Sequence, residues 1–139
     1  MDNTTIRNII DFLEKKENKK HKDRDNLVWK LRFGYPLTKE ELNVKGSLDL
    51  RVTNITSIPE GLKVGKTLYL SNTKITSLPE GFKVGRHLYL ENCKSLTSLP
   101  EGLEVGGDLN IRGTELLRYS NDELRKMIEP GFIKGNIIR

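Results

Sequence analysis

The chain has 139 residues and a formal net charge of +5 at pH 7, with 35% hydrophobic, 31% charged and 6% aromatic residues. This length predicts one domain and argues against a multidomain enzyme, and the modest hydrophobic fraction argues against a thick core around a deep cavity. The single Cys93 cannot form an internal disulfide, and no signal-peptide pattern opens the chain, so we expect a reducing, cytoplasmic setting. No stretch approaches the roughly 18 apolar residues of a membrane span, so we expect a soluble protein.

Residues 1–43 predict a helical N-terminal cap. A first helix is indicated by apolar residues at the spacing of one helical face, followed by a second helix over residues 26–33. We expect Trp29 and Leu31 of the second helix to cover the N-terminal turn of the segment that begins at residue 44. A capping box at Thr38 predicts one further short helical turn before residue 43. The first helical face consists of Ile6, Ile9, Ile10 and Leu13.

From residue 44 onward the sequence repeats itself, which is the pattern of a stacked solenoid. The units begin at Val44, Val64, Val84 and Val105, and the third is one residue longer than the first two because Ser95 is inserted. A unit of about 20 residues leaves no room for a regular helix on the return side. We therefore expect three full turns and a partial fourth over residues 44–116.

Within each unit, a Leu-x-Leu triplet predicts a short strand whose leucines point inward and whose neighbours point outward. A Pro-Glu-Gly sequence then predicts a turn, because proline cannot donate to a strand ladder and glycine accepts positive φ. Residues 61–67 look like a phosphate-binding loop, but the glycine spacing is one residue short and no helix follows, so we interpret them as a repeat turn. A row of small residues is expected to align from turn to turn and to hydrogen-bond the backbone: Thr53, Thr73, Cys93 and Thr114.

This pattern resembles the leucine-rich repeat, in the short form common in bacterial proteins and their phages. The resemblance implies a repeat solenoid with parallel β-strands whose exposed sheet face is the binding surface. Two departures stand out. Threonine dominates a position where that family has asparagine or cysteine, and glycine occupies the first consensus leucine, at Gly65, Gly85 and Gly106.

Residues 117–139 predict a C-terminal cap made of a helix and a tail. A capping box begins at Ser120, and Leu124, Met127 and Ile128 form a helical stripe that stops at Pro130. The tail, residues 132–139, is apolar and β-prone. It is expected either to add a strand over the last turn, to remain an exposed edge, or to hold a second copy of the chain, with a monomer favoured.

The outward residues of the predicted strands form the candidate partner-binding site. Two tyrosines stand in adjacent rows with polar and charged side chains around them, a composition enriched at protein interfaces. We therefore expect a non-enzymatic protein-protein interaction module, an inhibitor or adaptor of bacterial or phage origin. Tyrosines that merely stack as good strand formers are the alternative. The residues are Asp49, Arg51, Tyr69, Ser71, His87, Tyr89, Glu91, Asn110 and Arg112.

Two other functions are weighed. A basic segment indicates a nucleic-acid contact, although the remaining charge excess is spread along the chain and no aromatic residue is interleaved in the segment. A hydrolytic site around His87 lacks a nucleophile on a strained turn, and two distant histidines with one cysteine do not make a zinc site, so we expect no catalytic residues, metal or cofactor. The basic segment comprises Lys15, Lys16, Lys19, Lys20, His21, Lys22 and Arg24.

Overall fold

The computed structural model describes residues 23–51 and 53–139. The chain divides into two compact units, with the boundary between Pro36 and Leu37. Each unit is treated by itself below. The predicted helix that begins near Ile6 lies outside the described residues, as does most of the basic segment that follows it.

The described part of the first unit is dominated by helix α1 (Asp23–Phe33), which begins slightly before the predicted 26–33. Gly34 ends the helix with a φ of +73°. The Trp29 ring lies 4.7 Å from the Phe33 ring and 5.5 Å from the Tyr35 ring, centroid to centroid, so the helix end carries an aromatic cluster. That Trp29 and Leu31 cover the first turn of the repeats stays a prediction.

The second unit opens with helix α2 (Lys39–Leu42), started by the predicted capping box. The Thr38 side chain accepts from the Glu41 backbone N–H, and the Glu41 carboxylate accepts from the Thr38 N–H. In the described part of the chain, ten two-residue strands follow and form two five-stranded parallel sheets. The first sheet is β1 (Asn43–Val44), β3 (Lys63–Val64), β5 (Lys83–Val84), β7 (Glu104–Val105) and β9 (Phe132–Ile133). The second sheet is β2 (Leu48–Asp49), β4 (Leu68–Tyr69), β6 (Leu88–Tyr89), β8 (Leu109–Asn110) and β10 (Ile137–Ile138).

Stacked in this order, the strands make a parallel β-solenoid of about three turns, which confirms the predicted solenoid. Equivalent residues of successive units pair in register, Val64 with Val84 and Leu68 with Leu88. Each turn contributes two strands rather than the one predicted. The interpretation of residues 61–67 as a repeat turn is therefore wrong in part, because Lys63–Val64 is a strand.

The extra strand forms because its residues alternate like those of any half-buried strand. Val64 is buried and Lys63 is exposed, and the pair Lys83–Val84 repeats this pattern. The glycine that follows allows the turns to approach closely. A Cβ at Gly85 would overlap the carbonyl oxygen of Gly65 in the preceding turn. Glycine thus stands at position 85 because the backbone of the preceding turn leaves no space for a side chain.

The core is a column of aliphatic side chains contributed by every turn. The leucines predicted to point inward are fully buried, which confirms their orientation. Such a column needs only a few large side chains per turn, and this accounts for the modest hydrophobic fraction. The inward set comprises Leu48, Leu50, Leu68, Leu70, Leu88, Leu90, Leu109 and Ile111.

The turns change direction at residues with left-handed backbone conformation. The Pro-Glu-Gly turns place Gly61, Gly81 and Gly102 at φ between +70° and +85°, as their sequence predicts. A second corner, just after the Leu-x-Leu triplet, has Asn72 at φ +62° and Asn92 at φ +59°. Asparagine is the residue after glycine that best tolerates this conformation.

The row of threonines and cysteine aligns as predicted, but most of its hydrogen bonds stay within a turn. Each of the three threonine hydroxyls donates to the carbonyl oxygen three residues earlier, at 2.6 to 2.8 Å. The Cys93 thiol instead donates to Leu70 O of the preceding turn at 3.0 Å, and its sulfur lies 3.5 Å from the Thr73 hydroxyl. Cys93 is therefore a buried stacking residue.

The C-terminal segment joins the solenoid. After a 3-10 turn (Glu115–Arg118), helix α3 (Asn121–Met127) starts at the predicted Ser120 capping box. The tail then adds two strands, since Ile133 pairs with Val105 and Ile137 pairs with Leu109. Of the three alternatives for the tail, strand addition is the one observed.

Candidate partner-binding face

The candidate site lies on the outer side of the second sheet. We call it the tyrosine face, and it comprises the nine residues predicted from the sequence: Asp49, Arg51, Tyr69, Ser71, His87, Tyr89, Glu91, Asn110 and Arg112. Strand register places four of them in one row along the solenoid: Asp49, Tyr69, Tyr89 and Asn110. The sequence period alone brings these residues together.

The two tyrosines at the centre form a stack. Tyr69 and Tyr89 are paired across β4 and β6, with ring centroids 5.2 Å apart and planes inclined by only 3°. Both side chains are half-buried. The parallel arrangement follows from the in-register strands, which give both side chains the same starting point and direction. The two phenol rings are thereby ordered before any partner binds.

Arg51 extends the stack at one end. Its guanidinium lies 4.9 Å from the centroid of the Tyr69 ring. Its Nη2 donates to Asp49 Oδ2 at 2.7 Å and its Nε donates to Asp49 Oδ1 at 3.0 Å, a bidentate pair. The hydrogen bond and the charge of Asp49 raise the pKa of Arg51 above its usual range.

This stacking decides what the tyrosines can offer to a ligand. One face of the Tyr69 ring is covered by Arg51 and the other by Tyr89. A nucleobase or a sugar ring needs a free aromatic face to stack on. The Tyr69 ring instead presents its edge and hydroxyl, which suit hydrogen bonds and edge contacts to a protein surface.

His87 is held by the next turn of the backbone. Its Nδ1 accepts a hydrogen bond from the Asp108 N–H at 2.9 Å. The Asp108 carboxylate lies 3.8 Å from Nδ1, too far for a hydrogen bond, and accepts from the Asn136 N–H at 2.8 Å. The Ser47 hydroxyl likewise accepts from the Thr67 N–H at 3.2 Å. These side chains link successive turns, a role that the sequence analysis did not predict.

The fourth turn completes the face with a chain of polar contacts. Asn110 donates to Glu91 Oε1 at 3.1 Å and accepts from the Arg112 N–H at 3.1 Å. The Arg112 Nε donates to the Arg139 carbonyl oxygen at 3.3 Å. The expectation that Ser71 and Asn110 are exposed is wrong, because their exposed fractions are 8% and 5%. Asn110 lies between its register partners Tyr89 and Ile138 on the adjacent turns.

The structure also brings together cations that the sequence analysis treated as thinly spread. Between the two sheets the chain turns a corner in each unit. Over the first three turns, five exposed basic residues lie at this corner or in the first-sheet strands that lead into it. Because they come from successive repeat units, no run of charge marks them in the sequence. The five are Lys45, Lys63, Lys66, Lys83 and Arg86.

Two further observations bear on function. Among the described residues, no three or more His, Cys, Asp and Glu side chains are grouped closely enough to hold a metal ion. In the same part of the chain no helix combines the length and apolarity needed to cross a bilayer. Comparisons with known protein families, with curated proteins and with solved structures find no match for this chain.

Proposed function

We propose that this protein is a non-enzymatic interaction module that binds a partner protein through the tyrosine face. The observation that supports this most directly is the ordered stack of Arg51, Tyr69 and Tyr89. We further propose that the module is of the short leucine-rich-repeat type and acts in the cytoplasm as a monomeric inhibitor or adaptor of bacterial or phage origin. The repeat pattern and the inward leucines support that assignment.

The side chains of the tyrosine face are ordered before a partner binds, and this preorganisation favours association. Arginine and tyrosine are among the residue types most enriched at interface positions that dominate binding energy. The bidentate Asp49 pair and the ring stack already restrict these side chains, so little rotamer freedom is lost on association. The strands beneath them are fixed by the leucine column. A partner therefore binds a surface that is already ordered in the free protein.

The chemistry of the face indicates what the partner presents. The central stack offers ring edges and hydroxyls, so the complementary surface combines apolar contact with hydrogen-bonding groups. The surround is mixed in charge, with Asp49 and Glu91 acidic and Arg51 and Arg112 basic. A balanced surround gives register and specificity rather than strong long-range attraction. We therefore expect a partner protein of mixed charge at this face.

The test starts with affinity capture from a bacterial lysate and continues with the captured protein in purified form. Tyr69→Ala combined with Tyr89→Ala is expected to weaken binding by roughly 1,000-fold, since each hot-spot truncation costs about 2 kcal/mol. Tyr119→Ala is the matched control, because Tyr119 is also half-buried beside an arginine, with Arg118 6.0 Å from its ring, but lies outside the face. The control is expected to bind like the wild type.

Circular dichroism of the double variant is expected to match the wild type, because the substituted side chains are not part of the leucine column. A double variant that binds the purified partner as tightly as the wild type would refute the proposal. So would a capture consisting only of a mixture that disperses on nuclease treatment.

A further inference from the structure

Five basic residues, at the corner between the two sheets and in the first-sheet strands that lead into it, form a second surface, which we call the basic corner: Lys45, Lys63, Lys66, Lys83 and Arg86. All five are exposed. On the side toward the second sheet, the corner is bordered by the uncharged Ser47 and Thr67. On the other side, exposed Glu60 and Glu80 precede the first-sheet strands.

The cations are stacked in like-charge pairs. Lys63 and Lys83 are register partners in β3 and β5. The Arg86 N–H donates to the Lys66 carbonyl oxygen at 3.1 Å, which places that second pair on neighbouring turns as well. Like charges directly opposite each other on neighbouring strands are unfavourable. The pairing of Lys63 with Lys83 is therefore unfavourable by itself, and an anion bound beside it would reduce the repulsion.

Little within the protein neutralises these charges. Lys83 has an ion pair with Glu104, whose Oε2 lies 3.4 Å from its Nζ. Across residues 23–51 and 53–139, no carboxylate lies within ion-pair distance of the other four side chains. The register row of Lys63 and Lys83 continues to Glu104 in the next turn, so the uncompensated positive charge belongs to the first three turns alone. An external polyanion would complete the arrangement.

The corner has charge without an apolar anchor. Glycine stands at the corner on each of the three turns, as Gly46, Gly65 and Gly85, and no Phe, Tyr or Trp stands among residues 44–47, 63–67 or 83–87. A protein partner normally needs buried aromatic or aliphatic anchors, whereas a nucleic-acid backbone is bound by cations alone. The absence of anchors therefore favours a phosphate backbone over an acidic protein.

We propose that the basic corner binds the phosphate backbone of a nucleic acid along the solenoid axis, without reading its sequence. This surface is separate from the tyrosine face, where the Tyr69 ring has no free face for a base. Its residues are also different from those of the basic segment, Lys15 to Arg24. Attraction to phosphate through counterion release predicts affinity that falls steeply with salt.

The experiment measures fluorescence anisotropy of a labelled oligothymidylate of about 20 nucleotides between about 50 and 200 mM salt. Five contacts predict a slope of log affinity against log salt of about −3.5, equivalent to about a 100-fold loss over this range. Lys66→Gln with Arg86→Gln removes two contacts and is expected to reduce the slope to about −2. Thermal unfolding followed by circular dichroism checks that the variant is folded.

Lys74→Gln with Lys94→Gln is the matched control. These lysines are also exposed and belong to successive repeat units, but they lie near the second corner. We expect this control to keep the wild-type slope, and we expect the same of the Tyr69 and Tyr89 double variant. The two sets of variants therefore distinguish failure of the tyrosine-face proposal from failure of the basic-corner proposal.

Three results would overturn the inference. One is an unchanged slope for the Lys66 and Arg86 variant, and another is an equal loss in that variant and in its lysine control. The third is displacement of the oligonucleotide by polyglutamate at a lower concentration than by unlabelled oligothymidylate, which would identify the corner as a site for acidic protein. If neutralising the basic residues between positions 15 and 24 abolishes binding while the Lys66 and Arg86 variant keeps the wild-type slope, the basic segment and not the basic corner binds the oligonucleotide.

Discussion

The spacing between turns of this solenoid is set at a glycine, and this can be tested by adding one methyl group at Gly85. A Cβ there would overlap the carbonyl oxygen of Gly65 and lie 2.7 Å from its carbonyl carbon. Carbon atoms in ordinary contact are about 3.5 to 4.0 Å apart. The obstacle is backbone, which cannot rotate aside as a side chain can. The two turns must therefore separate by about 1 Å to admit alanine, given those contact distances.

That separation weakens nearby backbone hydrogen bonds. The Gly85 N–H donates to Val64 O at 2.8 Å, and the Arg86 N–H donates to Lys66 O at 3.1 Å. Overpacking costs about 1 to 3 kcal/mol, and each weakened hydrogen bond costs up to about 1 kcal/mol. Gly85→Ala is therefore expected to lower the free energy of unfolding by about 2 to 5 kcal/mol. The corresponding fall in Tm is about 6 to 15 °C for a chain of this size.

Gly46→Ala is the matched control, because Gly46 stands at the same corner one turn earlier than Lys66. No atom lies within 4 Å of a Cβ built at Gly46, and its φ is not positive. Alanine there lowers the entropy of the unfolded chain and is expected to stabilise the protein by about 0.4 to 1 kcal/mol. Urea denaturation followed by circular dichroism measures both variants. Equal stability of Gly85→Ala and the wild type would refute the claim that close backbone approach sets the turn spacing.

Two further predictions concern the second corner and the last turn. Asn72→Ala is expected to lower the free energy of unfolding by about 1 kcal/mol, because Asn72 has φ +62°. Asn72→Gly is expected to stay within about 0.5 kcal/mol of the wild type, since glycine tolerates this conformation. Urea denaturation measures both variants, and equal effects would contradict the prediction. Arg125→Ala removes the donors that reach Ile133 O at 2.7 Å and Gly135 O at 3.2 Å, and is expected to cause concentration-dependent self-association through the freed strand edge. Light scattering after size exclusion measures this, with Lys126→Ala as the control, and an Arg125 variant that stays monomeric would be the contrary result.

The period and the alternation of leucines were sufficient to predict much of the fold. A Leu-x-Leu triplet that recurs at a fixed spacing can bury its leucines only by stacking parallel strands, so Leu68 and Leu88 had to be neighbours. The Pro-Glu-Gly turns followed from the conformations that proline and glycine allow. Both depend on local residue chemistry repeated at a constant interval.

The first sheet was missed and the tail was left between three alternatives, because their signals are weaker. A Lys-Val pair is too short to show alternation until its buried valine is seen. The tail repeats the earlier units, with Ile133 in the place of Val105, but helix α3 is inserted between the two and lengthens the spacing. A search at the period of the other units does not find a unit at that distance.

The candidate site was predicted in its composition but not in its geometry. The sequence identified Tyr69 and Tyr89 as outward neighbours, whereas only the tertiary structure shows that their rings are parallel and that Arg51 covers the end of the stack. Burial of Ser71 and Asn110 also depended on which side chains neighbouring turns place over them. Such contacts arise from rotamers chosen jointly across turns, which no single unit specifies.

The sequence by itself thus determined which side chains face the core, because burial of leucine follows from periodicity alone. Tertiary structure decided which surface residues meet. Lys66 and Arg86 belong to different repeat units, yet a backbone hydrogen bond of 3.1 Å joins them across turns. Stacking converts a charge excess that looks dilute along the chain into a concentrated corner, because electrostatic interactions depend on distance in space rather than on separation in sequence.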